Sequence, residues 1–313
     1  MKIVFNKLQT SKETIQVSLD GGSTYTPYVV SEIIETGIPL DENQEYDKIH
    51  IKGSATVLKN LDVVKSIEIP ESNNTKDEMF THDGTSFYDN LVNVKIPEGF
   101  TSIGQYAFFA CKNLTSIDLP ESLTSIGNYA FSNCTSLTSI DLPESLTSIS
   151  GSAFSSCSSL TSIDLPENLT SIGNDAFHGC KNLTSIDLPE SLTSIGVSAF
   201  YGCSNLTSIE LPKGLTSIGY YTFYGCTSLT NIDLPESLTF IGNDAFNSCK
   251  GLTSITLPEG LTSIGDSTFK GCTSLKTINF KGTEDQWNAI SKGSDWNKSC
   301  PSDMVIKCDY QGE

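Results

Sequence analysis

Prolines stand at positions 97, 120, 143, 166, 189, 212, 235 and 258, and every interval is 23 residues. Cysteines keep the same step, at 111, 134, 157, 180, 203, 226, 249 and 272. A fixed period of this length marks a chain of stacked units, each too small to bury its own apolar face. One unit reads Leu114-Thr-Ser-Ile117-Asp-Leu119-Pro120-Glu-Ser-Leu123-Thr-Ser-Ile126-Gly127-Asn-Tyr-Ala130-Phe131-Ser-Asn-Cys134. Ile117 and Leu119 are two apart, which is strand spacing with both side chains inward. Pro120 ends that strand, because it has no N–H for the ladder. A second short strand is expected over Thr124–Ile126. The glycine that follows, Gly127 and its equivalents, is expected in a turn conformation closed to most residues. The Ala-Phe segment then makes a short helical or 3-10 return.

The array extends in both directions. Val64-x-x-Ile67-x-Ile69-Pro70 supplies a further strand, and the next unit is four residues longer, since Pro70 to Pro97 is 27. The extra residues fall within Glu71–Asn90, an atypical long coil. Leu275-x-x-Ile278-x-Phe280 is the last repeat strand. The ends are different material. In residues 1–60, segments near Lys2–Phe5, Thr14–Leu19 and Lys48–Lys52 read as strands, and Tyr28–Thr36 as helix or strand. This segment is either a β-rich cap over the first coil or an attachment domain. In residues 281–313, Thr283-Glu-Asp-Gln286 fits a capping box for a short helix carrying Trp287 and Ile290. Trp296 packs beside it, Met304–Cys308 closes as a strand, and the whole reads as a C-terminal cap.

From residue 64 to 280 the L-x-x-I-x-L-P-x-x-L-x-x-I-G-x-x-A-F-x-x-C pattern resembles the Treponema pallidum type, or BspA-like, leucine-rich repeat proteins. The resemblance implies a leucine-rich-repeat solenoid of 23-residue coils over residues 61–280, with a concave parallel β-sheet. It also implies a binding role. Members are commonly bacterial or protist surface proteins, several of them adhesins for host proteins. The Gly-Thr-x-x-x-Trp-x-x-Ile…Trp pattern after Lys281 resembles the C-terminal segment common in the same family.

Charge narrows the partners. Net charge is −18, from 37 acidic and 19 basic residues, and every basic residue is lysine. Arginine is the usual bidentate reader of phosphates and guanine edges. An acidic chain without it is not expected to bind nucleic acid or an anionic membrane. The apolar runs are far short of the ~20 residues that span a bilayer. The N-terminus turns polar after Phe5 and shows no signal-peptide core. Localisation is therefore open, with the cell surface, the exterior or a virion implied by resemblance alone.

Reactive chemistry is sparse. His50, His82 and His178 are scattered over cap, long coil and repeat. There is no phosphate loop, nucleophile elbow or zinc motif, so neither an enzyme nor a cofactor is expected. The eight periodic cysteines share one column, with parallel Cβ vectors that do not suit disulfides. They read as small buried thiols filling the core. Cys300 and Cys308 break the period, and they are the one pair left open to bridging.

Two columns are candidates for binding. The position between strand Ile and Leu holds Asp118, Asp141, Asp164, Asp187, Glu210 and Asp233 in six successive coils, then Thr256 and Asn279. After the proline stand Glu121, Glu144, Glu167, Glu190, Lys213, Glu236 and Glu259. Three readings stand for this acidic face: a solubilising surface, a site for a basic or repetitive protein partner, or weak divalent-cation binding. The second column follows the repeat Phe, where His178, Tyr201 and Tyr224 stack in three consecutive coils with Tyr220 and Tyr221 nearby. It is either a contact surface or packing between coils. The expected function is a non-enzymatic protein-binding solenoid, a surface adhesin or interaction module. The alternative is a structural or decoration component of a larger assembly, such as a virion or cell-surface appendage, docked through residues 1–60.

Overall fold

The computed structural model describes residues 91–96 and 98–311, together with six short strands before them. Those are β1 (Lys2–Ile3), β2 (Thr14–Ser18), β3 (Thr26–Val29), β4 (Ile38–Pro39), β5 (Ile49–Lys52) and β6 (Ser66–Glu68). The atypical coil at Glu71–Asn90, with His82, lies outside the described residues. So does most of the Tyr28–Thr36 segment.

The chain is a parallel β-solenoid. Each coil carries three rows of cross-coil hydrogen bonds around one core. The first row continues the N-terminal strands in the order β3-β2-β5-β6-β7-β9, where β7 is Asn93–Lys95 and β9 is Ser116–Asp118. Mid-array it thins to single parallel bridges linking Asp141, Asp164, Asp187, Glu210, Asp233 and Thr256. It thickens again into β16 (Ser254–Leu257), β18 (Thr277–Phe280) and β20 (Val305–Lys307).

The second row comprises β8 (Ser102–Ile103), β10 (Ser125–Ile126), β11 (Ser148–Ile149), β12 (Ser171–Ile172) and β13 (Ser194–Ile195). A separate sheet follows: β14 (Ser217–Ile218), β15 (Phe240–Ile241), β17 (Ser263–Ile264) and β19 (Ser291–Lys292). Threonine hydroxyls reinforce the row, as where Thr170 Oγ1 donates to Thr147 O at 3.1 Å.

The third row is the return. It is a succession of single turns with i→i+3 bonds, such as Phe109 N–H to Tyr106 O, rather than a continuous helical segment. Three N–H groups per coil also donate to the next coil. In one coil they are Asp175 to Val197 O, Phe177 to Ala199 O and Gly179 to Tyr201 O, at 2.9, 2.9 and 2.7 Å. Residues with positive φ flank the Phe here, Asp175 (55°) and Gly179 (72°) among them. That backbone turns both N–H groups along the solenoid axis.

The Ile-Gly glycines do not take the turn conformation expected of them, because positive φ sits in the returns instead. They are needed for close approach. A Cβ on Gly196 would lie 2.4 Å from Asn174 N and from Gly173 C.

The core runs the length of the array. Phe108, Phe131, Phe154, Phe177, Phe200, Phe223, Phe246 and Phe269 stack with centroids 5.3–5.6 Å apart. Beside them the cysteines are free thiols, not bridges. From Cys134 to Cys272 each Sγ donates to the carbonyl of the preceding coil's Phe at 3.1–3.3 Å. Cys300 joins this column by donating to Phe269 O at 3.2 Å, and Cys308 is also free, so the pairing left open for them is not made.

Residues 283–308 form one more coil. Cys272 to Cys300 is 28 residues, and helix α1 (Glu284–Ala289) takes up the excess. Thr283 caps α1 in a full capping box with Gln286. Trp287 and Trp296 meet edge to face at 6.0 Å and close the end of the phenylalanine stack.

Candidate binding surfaces

Strand alternation builds the acidic column. In each coil the Ile before it and the Pro after it are buried, so the carboxylate between them points out. Asp118, Asp141, Asp164, Asp187, Glu210 and Asp233 are all exposed. None of the six makes a salt bridge among the described residues, whose ion pairs are Lys213–Glu190 at 3.7 Å, Lys281–Glu236 and Lys298–Asp295. Two of those pairs partly neutralise the glutamate column that follows the prolines. The first column is bounded by lysine, because Lys95 pairs in register with Asp118, and Lys307 follows Asn279. Among the described residues no group of three or more His, Cys, Asp or Glu is placed to hold a metal ion. The carboxylates stand in a row, one per coil, and do not converge.

The return places the aromatic column. His178 and Tyr201 stack at 4.7 Å and 16°, and Tyr201 and Tyr224 at 4.6 Å and 3°. Tyr221 tilts against Tyr224 at 6.0 Å. Tyr220 turns the other way, onto the second row, and meets Phe240 edge to face at 6.2 Å. Burial and the neighbouring Tyr224 and Tyr221 push the Tyr201 phenol above its ordinary pKa. In the same three coils the residue after the ring is Gly179, Gly202 or Gly225, each with φ near 70°. The ring edges therefore border bare backbone.

Sequence reasoning missed further contributors. Val197 and Phe240 replace the Asn and Ser of other coils, and Val197 is 38% exposed beside Tyr220 at 47%. At the far end Tyr106 and Tyr129 stack at 4.8 Å, with Phe109 edge-on to Tyr106. Their signal was a shared column with Tyr221, two residues after the Ile-Gly step.

Comparison with known proteins agrees with the architecture. The family model for the BspA type leucine-rich repeat region matches residues 82–207 and 170–291. The crystal structure of the T. pallidum leucine-rich repeat protein is 29% identical with a TM-score of 0.51, over 68% of this chain and 86% of that one. A leucine-rich repeat protein from Eubacterium ventriosum is 25% identical at TM-score 0.46, over 74% and 67%. A leucine-rich cell surface protein from Faecalibacterium prausnitzii is 24% identical at TM-score 0.36, over 81% and 95%. No curated protein matches the sequence.

Proposed function

The chain belongs to the BspA-type leucine-rich repeat family, and on that premise we propose that it is a non-enzymatic protein-binding solenoid, working as a surface adhesin or interaction module. The observation that carries this reading is the exposed column from Asp118 to Asp233, six carboxylates without a salt bridge among the described residues. Such a column raises the local concentration of a basic partner and speeds its encounter. Its monotony suits a lysine- or arginine-rich surface better than one shaped small molecule. Leucine-rich solenoids present this kind of extended surface as a matter of construction.

Two measurements test the reading. Antibody against residues 91–311 locates the chain in its native source, and an adhesin is recovered at the cell surface or in the medium. A lysine-rich probe peptide binds the purified chain, more weakly as salt rises, and more weakly still to an Asp164→Asn/Asp187→Asn variant. Equal binding by variant and parent overturns the acidic column as the contact.

One observation favours the alternative, a structural or decoration part of a larger assembly. Among the described strands, β3, from residues 1–60, stands last in the order of the first row. A strand at the edge of a sheet is a template for a strand from another chain. Recovery of the chain only in purified particles would establish that reading in place of the first.

A further inference from the structure

The repeat departs from its pattern at one corner. After the second-row isoleucine the coils read Gly104-Gln105, Gly127-Asn128, Gly173-Asn174 and Gly196-Val197, but Ile149 is followed by Ser150-Gly151. From Gln105 to Asp266, Gly151 is the one residue of this column without a side chain. The asparagines of the column have a defined use. Asn128 Oδ1 accepts from Gly151 N–H, Asn174 Oδ1 from Val197 N–H and Asn243 Oδ1 from Asp266 N–H, each at 2.9 Å. Gly151 offers no acceptor in turn, and among the described residues Asn174 N–H has no partner.

A hollow of about 520 Å³ lies where that side chain is missing, between Asn128 and Asn174. Its volume is within the range of small-ligand sites. Its floor includes the bare backbone of Gly173 and Gly196. The coils close tightly there, and a Cβ on Gly173 would lie 2.5 Å from Gly151 N. Ser148, Ser171 and Ser194 line the hollow in register on β11, β12 and β13, about 4.8 Å apart. Ser150 adds a fourth hydroxyl. Among the described residues none of the four hydroxyls makes a hydrogen bond, and all four serines are at least partly exposed. Backbone N–H groups hold the Oδ1 atoms of Asn128 and Asn174, so their Nδ2 groups are the free ends. No lining residue is charged.

We propose that this hollow binds one sugar residue of a neutral glycan. The sugar hydroxyls meet Ser148, Ser171 and Ser194, whose own hydroxyls both donate and accept. Asn174 N–H and the two Nδ2 groups supply donors to the remaining oxygens. A charged ligand would lose hydration here with no opposite charge to meet it. An apolar ligand would leave the hydroxyls and amides unpaired. A peptide main chain finds no strand edge, because β11 is paired with β10 and β12, and β12 with β13. This inference goes beyond the protein-binding reading and uses none of the acidic column.

An array of immobilised neutral and acidic oligosaccharides, probed with the full chain, tests the site. Neutral oligosaccharides are expected to bind, with little change as salt rises. Gly151→Asn restores the side chain that neighbouring coils carry and fills the hollow. A Cβ there meets Asn128 Oδ1 at 3.2 Å and Asn174 O at 3.3 Å, contacts that a small shift relieves. Asp266 already stands beside Asn243 in the same way, so the variant is expected to fold. Its affinity should fall about tenfold, with the melting temperature unchanged or raised. Ser171→Ala removes a hydroxyl that no bond within the described chain uses, and should weaken binding about threefold at the same melting temperature. A lysine-rich peptide should bind both variants as it binds the parent. Failure of every neutral oligosaccharide to bind overturns the inference, as does undiminished binding by a folded Gly151→Asn chain. Where that variant does not fold, undiminished binding by Ser171→Ala overturns it instead. Binding confined to acidic oligosaccharides, or lost only with Asp164→Asn/Asp187→Asn, would also overturn it, and would leave the acidic-column reading to its own peptide test.

Discussion

Replacing Gly196 and Gly219 by alanine, one at a time, separates an intact step of the second row from the broken one. The two glycines hold equivalent repeat positions, 23 residues apart. At Gly196 the new methyl would lie 2.4 Å from two backbone atoms and 2.6 Å from Gly173 O, so the coils must part. Parting them threatens the bonds Gly196 N–H to Ile172 O and Val197 N–H to Asn174 Oδ1. Two such bonds contribute about 1 kcal/mol each, and overpacking costs a further ~1–3 kcal/mol. The expected loss is about 3–5 kcal/mol. At Gly219 the nearest atom is Thr222 Oγ1 at 3.3 Å, and no cross-coil bond is at stake. Restricting the unfolded chain there contributes roughly 0.4–1 kcal/mol in favour of the variant. Urea unfolding followed by circular dichroism reads both, with the slope m checked for constancy. Equal destabilisation by the two substitutions would refute the reasoning, because it would mean that the coils are equally close at both places.

The buried thiols make stability fall in alkali. Burial pushes Cys249 up to about 12 and holds Cys134, Cys157, Cys180, Cys203, Cys226 and Cys272 well above the ordinary thiol range. A raised folded pKa gives stability that is complete below the unfolded value near 9.0 and is lost as pH rises toward the folded one. Each such thiol then removes about 1.4 kcal/mol per pH unit, so the melting temperature should drop steeply between pH 9 and 10, and a level profile would contradict this. With Ellman's reagent at pH 8, Cys308 should react first and Cys300 more slowly, while the repeat thiols stay silent until the chain unfolds. Early labelling of Cys203 would show that the core is open. Asp164→Asn should raise the melting temperature, since Asp164 is bridged in register to Asp141 and Asp187, and like charges side by side destabilise a sheet. A fall would show that the carboxylate makes a contact the fold depends on.

Much of the fold was legible because one unit repeats with its chemistry intact. Alternation at Ile117 and Leu119, the stop at Pro120 and the capping box at Thr283 each carry a local signal. The strands near Thr14, Lys48 and Met304 were readable for the same reason. What escaped was set by neighbours in the stack. The reason for Gly196 is a backbone one coil away, which no feature of its own unit reveals. Cys300 looked unpaired with the period because α1 inserts residues before it, yet it falls into the same column. The stack of His178, Tyr201 and Tyr224 could be read from one column, whereas the break between β13 and β14 has no matching signal, because Tyr220, like Val197, lacks the asparagine acceptor and yet precedes a paired step.

Hydrogen exchange at single amides tests the central claim, that the second row is open between β13 and β14, most directly. Gly173, Gly196, Gly242 and Gly265 donate to the preceding coil at 2.8–2.9 Å and should exchange slowly. Gly219 and Thr216, which have no such bond among the described residues, should exchange orders of magnitude faster in the same folded chain. Protection of Gly219 equal to that of Gly196 would mean that the row is continuous.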